Sequence, residues 1–243
     1  MDQRTARRQP TPRLRTNLDT DFLKLIAILS MLLDHIGAVF FPEHPAFRWV
    51  GRLAFPIFAY CLTVGLLYTR DIRKYLLRLG AFALISQPFY IFAFHPWDWQ
   101  AEWMNMNIFF TLLVSLLALW GVHTRRWWLF LALFLLASFV NFDYSANGIV
   151  LMLIFYLCRN RPVLGAAVYV LFWLPALWGG QMEDPLSVKI AGHAINWTIF
   201  AVLSAFPIFL PTHTGIKVPK WFFYAFYPAH LAAIGLARVI LNV

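Results

Sequence analysis

Residues 21–41 read DFLKLIAILSMLLDHIGAVFF, an apolar run that contains an adjacent aspartate and histidine, Asp34 and His35. A helix of about 20 apolar residues crosses the hydrocarbon core of a bilayer. An ionisable side chain at that depth costs roughly 2.5–3.5 kcal/mol on insertion scales, so its presence indicates function. The run therefore predicts a membrane-spanning helix that carries part of a functional site.

The composition of the whole chain is typical of a membrane protein. Of its 243 residues 61% are hydrophobic and 13% are charged, with a mean hydropathy of +0.65, whereas soluble domains carry about 25% charged residues. We predict an all-α fold: one polytopic integral membrane helix bundle over residues 21–243, after a basic and disordered cytoplasmic tail over residues 1–20. The apolar segments predict about nine transmembrane helices, at 22–41, 51–69, 74–94, 107–121, 127–141, 145–158, 163–179, 190–210 and 221–242.

The distribution of basic residues predicts the orientation of the chain. With the N-terminus inside, 15 of the 20 Lys and Arg residues fall in inside segments and four fall outside, as expected where cytoplasmic loops are enriched in Lys and Arg. We therefore expect an N-inside, C-outside protein of the bacterial inner membrane. Because the basic residues flank apolar segments and form no single basic face, the net charge of +9 does not indicate nucleic acid binding.

Cysteine and histidine spacing gives no metal motif. Cys61 and Cys158 both lie in apolar stretches, where a free cysteine acts as a small hydrophobic residue. The sequence contains no HExxH and no i, i+4 histidine pair within a span, so no metal is expected.

Helical spacing separates Asp34 from His35 by about 100°, so each side chain needs a partner on another helix. Arg48 and Arg52 follow closely. They either extend their charged ends to the membrane interface or hold Asp34 or an anionic group.

The last predicted span adds a second polar pair. Tyr227 and His230 lie three residues apart, on one helix face, with Pro228 between them opening the helix. A second intramembrane histidine beside a phenol favours proton transfer, since histidine titrates near neutral pH. His193 and Asn196 are possible further site residues.

Four basic residues, Arg70, Arg73, Lys74 and Arg78, cluster at the start of the third span. They fix the topology, and they are also suited to binding the phosphates of a nucleotide-bearing cofactor.

Several of these motifs together resemble the TraX family. They are MLLDHIG (31–37), WVGRLAFPIFAY (49–60), RKYLLRL (73–79), ALISQPF (83–89) and KWFFYAFYPAHL (220–231). The family is named for the membrane protein of conjugative plasmids that acetylates the N-terminal amine of pilin. The resemblance implies a polytopic acetyltransferase that takes acetyl groups from acetyl-CoA, with a pilin-like or another amine or hydroxyl acceptor. A more distant similarity to membrane acyltransferases that modify sugars also implies acyl transfer.

The resemblance also implies residue roles. His35 would be the general base or a transient acetyl carrier, with His230 as the competing candidate. Asp34 or Tyr227 would orient a histidine, Arg52 would stabilise the oxyanion, and the basic cluster would bind the donor's phosphates. Two other functions stay open: a proton-coupled small-molecule transporter or flippase that uses Asp34, His35 and His230 as a relay, and a non-catalytic membrane scaffold.

Overall fold

Helices dominate the computed structural model of the protein, which describes residue 14 and residues 16–95, 105–140 and 144–242. The helices are α1 (Thr20–Phe40), α2 (Pro45–Gly51), α3 (Ala54–Tyr68), α4 (Ile72–Phe94), α5 (Ile108–His123), α6 (Trp127–Phe139), α7 (Ser145–Leu157), α8 (Pro162–Trp173), α9 (Ala205–Phe209) and α10 (Lys220–Leu241). Two 3-10 segments, Leu174–Leu177 and Trp197–Ser204, and two short strands, β1 (Val188–Ile190) and β2 (His193–Ile195), lie between α8 and α9.

Four helical segments within the described residues are long and apolar enough to cross a membrane. They are α1, the nearly continuous pair α2 and α3 (Pro45–Tyr68), α4 and α10. α1 packs against α2, α3 and α10, while α4 packs against α10 and α5. Large apolar side chains such as Phe139 and Val163 face outward and are more than 80% exposed, as expected of a surface that contacts lipid. The chain is therefore a helical membrane protein.

The predicted eighth span, 190–210, is wrong as a single helix. β1 and β2 form an antiparallel hairpin in which Ile190 pairs with His193. The two residues between them, Ala191 and Gly192, both have positive φ, at 48° and 81°, the geometry of a tight turn whose twist matches the strands. Mean hydropathy over a stretch of sequence counts the apolar residues here but does not detect the turn. The small sheet is a departure from the predicted all-α fold.

Prolines account for two other shifted boundaries. Pro45 begins α2 six residues before the predicted span at 51, since a proline suits the first turn of a helix. The span predicted over 163–179 is an α-helix only to Trp173, and Pro175 lies in the 3-10 segment that follows. Proline has no N–H for an i→i−4 hydrogen bond.

Packing against the bundle begins before residue 20. Thr16 and Asn17 are buried; the Tyr60 hydroxyl lies 2.7 Å from the Thr16 hydroxyl and donates to the Asn17 carbonyl oxygen at 2.6 Å. The Asn17 amide donates to the carbonyl oxygen of Pro207 at 2.8 Å, which fixes the start of α1 against α9. Residues 1–13 and 15 of the predicted tail lie outside the described residues.

Candidate functional site

An ion cluster of one carboxylate and two guanidinium groups lies at the C-terminal end of α1. The Oδ2 atom of Asp34 lies 2.6 Å from Arg48 Nη1, and its Oδ1 atom lies 2.8 Å from Arg52 Nη2. Asp34 is only 6% exposed, so these charge-assisted bonds are strong. Of the two roles left open for the arginines, the structure shows that they hold Asp34.

A glycine allows this cluster to form. Gly51 ends α2, which turns back against α1, and a Cβ atom built at Gly51 would overlap the Asp34 carboxylate. Only a residue without a side chain lets the α2 backbone approach Asp34 so closely. The Gly-Arg dipeptide at 51–52 thus provides both the space for Asp34 and its second cation.

Two aromatic residues distant in sequence complete the surroundings of Arg52. Its guanidinium carbon lies 4.2 Å from the centroid of the Trp197 ring, close enough for a cation–π interaction. Its Nη1 atom donates to the Tyr144 hydroxyl at 3.1 Å. The sequence alone indicated neither Tyr144 nor Trp197, because both lie more than 90 residues away and in apolar, aromatic-rich stretches.

The two intramembrane histidines contact each other directly. His35 Nδ1 lies 2.8 Å from His230 Nε2, and the rings stack with centroids 5.0 Å apart. His230 Nδ1 lies 2.9 Å from the backbone carbonyl oxygen of Phe226.

This geometry fixes the tautomers of the neutral pair. A carbonyl oxygen can only accept, so His230 Nδ1 carries the proton and His230 Nε2 is an acceptor. His35 Nδ1 must then donate to it, which leaves the lone pair on His35 Nε2. That atom makes no hydrogen bond to any described residue, so it is available as a proton acceptor.

Tyr227 lies beside both histidines. Its ring centroid is 5.4 Å from that of His230 and 6.3 Å from that of His35, and it is 2% exposed. The predicted opening of the helix at Pro228 is wrong, because α10 runs without interruption from Lys220 to Leu241. Among the described residues, Asp34 makes its side-chain hydrogen bonds with the two arginines and none with a histidine. Asp34 therefore orients Arg52 and, contrary to expectation, does not orient a histidine.

The ion cluster and His35 share one cavity of about 290 Å³, called here the histidine cavity. Its lining includes Asp34, His35, Arg48, Arg52 and Tyr227, whereas His230 lies behind His35 and outside the lining. The predicted catalytic residues are therefore brought together. The remaining walls come from Met31, Ala38, Gly51, Ala54, Phe55, Phe58, Tyr90, Phe94, His95, Ile108 and Tyr144.

A second cavity, of about 320 Å³, lies at the opposite end of the same helices. We call it the lysine cavity, because Lys24 and Lys220 line it together with Arg78. The rest of its lining is largely apolar or aromatic: Phe58, Cys61, Leu62, Gly65, Tyr68, Thr69, Tyr75, Leu79, Phe109, Leu112, Phe223 and Tyr224. Phe58 lines both cavities.

The predicted phosphate-binding residues divide into two groups at the start of α4. Arg78 lines the lysine cavity, while Arg70, Arg73 and Lys74 are exposed outside it. Asp71 caps the helix by accepting from the Lys74 backbone N–H at 3.2 Å, and this bond lowers the pKa of the Asp71 carboxyl.

The structure does not bring His193 or Asn196 into either cavity lining. His193 is exposed on β2. Asn196 accepts from the backbone N–H of Thr198 at 2.9 Å and so caps the 3-10 helix that begins at Trp197. Neither residue lines one of the two cavities, so the structure does not place them where they were expected.

Comparison with known proteins identifies relatives along most of the chain. A family model described as TraX protein matches residues 19–238. A probable fimbrial assembly protein FimC of Dichelobacter nodosus is 28% identical over 239 residues, covering 90% of this chain and 96% of the relative. The TraX protein of Escherichia coli is 27% identical over 229 residues, covering 89% and 86% of the two chains. No solved structure matches the chain.

Proposed function

This chain belongs to the TraX family, and from that premise we propose that it is an integral membrane acetyltransferase. It transfers an acetyl group from acetyl-CoA to an amine or hydroxyl acceptor. The observation that carries the proposal is that His35 lines a cavity beside the guanidinium groups of Arg48 and Arg52, while its Nε2 atom makes no hydrogen bond to any described residue. A neutral base next to fixed cations is the pairing that acyl transfer requires.

The reaction begins when the acceptor nitrogen or oxygen attacks the thioester carbonyl carbon. His35 Nε2 takes the acceptor's proton as the new bond forms, and Arg52 stabilises the negative charge that develops on the carbonyl oxygen. The carbon–sulfur bond then breaks, and the proton passes from His35 to the departing thiolate. The acceptor leaves acetylated, and free CoA retains the proton.

Three other residues position this machinery. His230 holds His35 in the tautomer whose Nε2 is unprotonated, because it accepts from His35 Nδ1 and donates to the Phe226 carbonyl oxygen. Asp34 fixes the Arg52 guanidinium through a 2.8 Å bond. Tyr227 packs against both histidine rings and keeps them aligned.

A pilin-like protein is the proposed acceptor. One relative is named a probable fimbrial assembly protein, and the resemblance noted above implies the N-terminal amine of a pilin subunit. An amine must lose a proton as the amide bond forms, so the same His35 base serves this acceptor and a hydroxyl acceptor alike.

The proposed topology is nine crossings in the bacterial inner membrane, with the N-terminus inside. In place of the eighth single helix, the 3-10 helix from Trp197 and α9 make the crossing. Contacts between segments assigned to the same side support this arrangement: Asp19 accepts from Thr214 near the inside face, and the Trp49 indole donates to the Leu186 carbonyl oxygen near the outside face. Arg238 likewise donates to the carbonyl oxygen of Phe94 at 2.9 Å.

The test incubates the purified protein in nanodiscs with acetyl-labelled acetyl-CoA and a pilin N-terminal peptide. Wild type is compared with His35→Ala, His230→Ala and the matched control His193→Ala, which removes an exposed histidine outside the cavities. We expect transfer by wild type and the control, a loss of about 10²–10⁴-fold in His35→Ala, and a smaller loss in His230→Ala. Label retained on the protein would identify the acetyl-carrier variant of the mechanism.

The contacting histidines also suit a proton relay, so proton-coupled transport is the second candidate. Proteoliposomes separate the two functions. Full turnover by a folded His35→Ala protein would overturn the proposed mechanism. Movement of a solute driven by a pH gradient, without consumption of acetyl-CoA, would favour the transporter.

A further inference from the structure

Positive charge converges on the lysine cavity from side chains and from helix ends. Lys24, Arg78 and Lys220 line it, and they lie within the first two turns of α1, α4 and α10, respectively. The N-terminal end of a helix carries roughly half a positive charge and favours anions. Near these cations, Asp21 is paired with Lys24 at 3.2 Å. The end of the bundle that opens here is therefore suited to a ligand with more than one negative charge.

The interior of the same cavity is apolar, and one polar atom in it is unsatisfied. The walls below the cations are formed by residues such as Leu62, Leu79 and Leu112. The Nε atom of Arg78 is buried and makes no hydrogen bond to any described residue. Leaving a buried donor unpaired destabilises the protein, and a ligand oxygen that accepts from this atom would remove that cost. The ligand thus combines an anionic head with a long, weakly polar arm.

The distance between the two cavities sets the length of that arm. Eleven residues separate Lys24 from His35 along α1, which at 1.5 Å per residue is about 16 Å. An extended chain advances about 1.2 Å per bond, so the 13 bonds from the phosphorus to the sulfur of a phosphopantetheine arm also span about 16 Å. A phosphate held at Lys24 would place a thioester at His35.

One residue lies where that arm would pass. Phe58 is half-buried and lines both cavities, so its ring is the shared wall between them. The arm must run beside this ring or displace it to reach His35.

We infer that the lysine cavity binds the diphosphate and the phosphopantetheine arm of the acyl donor, and that Phe58 lies at the passage from this site to the histidine cavity. The inference rests on the proposed function, since it assumes an acyl-CoA donor. It moves phosphate binding from the exposed Arg70, Arg73 and Lys74 to Lys24, Arg78 and Lys220.

A cysteine-protection experiment tests binding without any need for transfer. The reporter protein carries Tyr68→Cys at the mouth of the cavity, with Cys61→Ala and Cys158→Ala removing the native thiols, and its folding is checked by its melting temperature in detergent. The rate of alkylation by N-ethylmaleimide in nanodiscs is measured against added CoA. We expect CoA to slow alkylation at least tenfold and pantetheine, which lacks phosphates, to protect only at far higher concentration.

Variants of the reporter protein assign the protection to the cations. Lys24→Gln, Arg78→Gln or Lys220→Gln is expected to raise the CoA concentration for half-protection about tenfold. The matched control Lys217→Gln, an exposed lysine at the same end of the bundle and outside the lining, is expected to change it less than twofold. Equal protection by CoA and pantetheine, or protection indifferent to all three cations, would overturn the inference. So would protection by phosphatidylglycerol nanodiscs with no further effect of CoA, which would identify an anionic lipid site.

Two further variants separate failure of this inference from failure of the proposed function. His35→Ala should keep full CoA protection while losing transfer, and Phe58→Trp, which narrows the passage, should do the same. Unprotected cysteine together with normal transfer would reject the donor site and leave the acetyltransferase standing. Protection in a protein that transfers to no acceptor would reject the acetyltransferase and leave a CoA-binding site.

Discussion

The histidine cavity and the lysine cavity lie along the same helices, have similar volumes and differ in how their charges are satisfied. In the histidine cavity, Asp34 holds both arginines at 2.6 and 2.8 Å, and the histidines pair with each other. In the lysine cavity, Lys24 pairs with Asp21 at 3.2 Å, whereas Lys220 is exposed. The charges of the first site are thus held together before a ligand binds, an arrangement that favours catalysis, whereas the second site has an exposed cation, Lys220, that can bind a ligand.

Among the substitutions considered, removal of Asp34 should lower stability and activity the most. In Asp34→Ala, Arg48 and Arg52 lose the carboxylate between them, and breaking a buried ion pair by removing one partner costs about 3–5 kcal/mol. We expect the melting temperature in detergent to fall by about 10 °C and transfer to be lost. The control Asp71→Ala removes an exposed carboxylate beside Lys74 and should change the melting temperature far less. Equal melting temperatures for Asp34→Ala and wild type would show that the cluster is not prearranged.

Substitution of His230 tests whether it acts only by orienting His35. A glutamine carbonyl oxygen can accept from His35 Nδ1, whereas leucine cannot. We expect kcat to fall about 100-fold in His230→Leu and less than about tenfold in His230→Gln, with KM for acetyl-CoA unchanged in both. Identical losses in the two variants would contradict the orienting role.

A pair of glycine substitutions compares the rigidity of the two cavities. A Cβ atom at Gly51 would overlap the Asp34 carboxylate, which two arginines hold in place. A Cβ atom at Gly65 would lie 2.6 Å from the ring of Tyr75, which borders the open lysine cavity and has space to move. Gly51→Ala should therefore cost about 1–3 kcal/mol of unfolding free energy and Gly65→Ala clearly less, as measured by thermal unfolding. The reverse order would show that the lysine cavity is the tighter of the two.

Higher ionic strength should weaken donor binding at the lysine cavity and leave the ion cluster of the histidine cavity intact. The screening length falls from about 10 Å at 0.1 M salt to about 3 Å at 1 M, and exposed cations are the most affected. Between about 0.05 and 0.5 M salt, we expect the KM for acetyl-CoA to rise several-fold and the melting temperature to stay constant. Acetyl-pantetheine, which has no phosphates, is the control donor, and an equal rise in its KM would contradict electrostatic binding at the cavity mouth.

Asp19 should give the smallest effect. Its carboxylate accepts from the Thr214 backbone N–H and hydroxyl, both at 2.7 Å, and these bonds lower the pKa of Asp19. A lowered folded-state pKa means that the stabilisation is present above the unfolded value of about 3.9 and is lost as the pH falls through the folded value. Asp19→Ala should lower the melting temperature at pH 7 by about 1–2 °C, since exposed pairs contribute little.

Low pH should abolish the difference in melting temperature between wild type and Asp19→Ala. At a pH below the folded-state pKa of Asp19, wild type and Asp19→Ala should melt at the same temperature. A difference that persists there would mean that Asp19 acts through packing and not through its charge.

Local patterns in the sequence identified the four long apolar helices and several of the polar residues that line or adjoin the histidine cavity. Asp34, His35 and His230 stand out because ionisable side chains are costly in apolar spans. The i, i+3 spacing of Tyr227 and His230 placed them on one face, and the two are adjacent in the structure. The prediction that Asp34 and His35 point in different directions from the helix was also confirmed, since each contacts a different partner.

Features that depend on contacts distant in sequence were not predictable. Tyr144 and Trp197 look like ordinary aromatic residues of a membrane protein until the fold places them against Arg52. Lys24 and Lys220 look like residues at the ends of spans until α1 and α10 bring them to one cavity. The hairpin at 188–195 was missed because two apolar strands and a tight turn resemble part of a span in hydropathy alone.

The sequence by itself determined that this is a helical membrane protein of the TraX family with polar groups inside its spans, because apolar length and isolated charges are properties of short segments. Only the tertiary structure decided which groups pair. The contact between His35 and His230 joins residues 195 positions apart, and it decides which nitrogen is left to accept a proton. Hydrogen bonds act over about 3 Å, so they are set by the packing of helices and not by spacing along the chain.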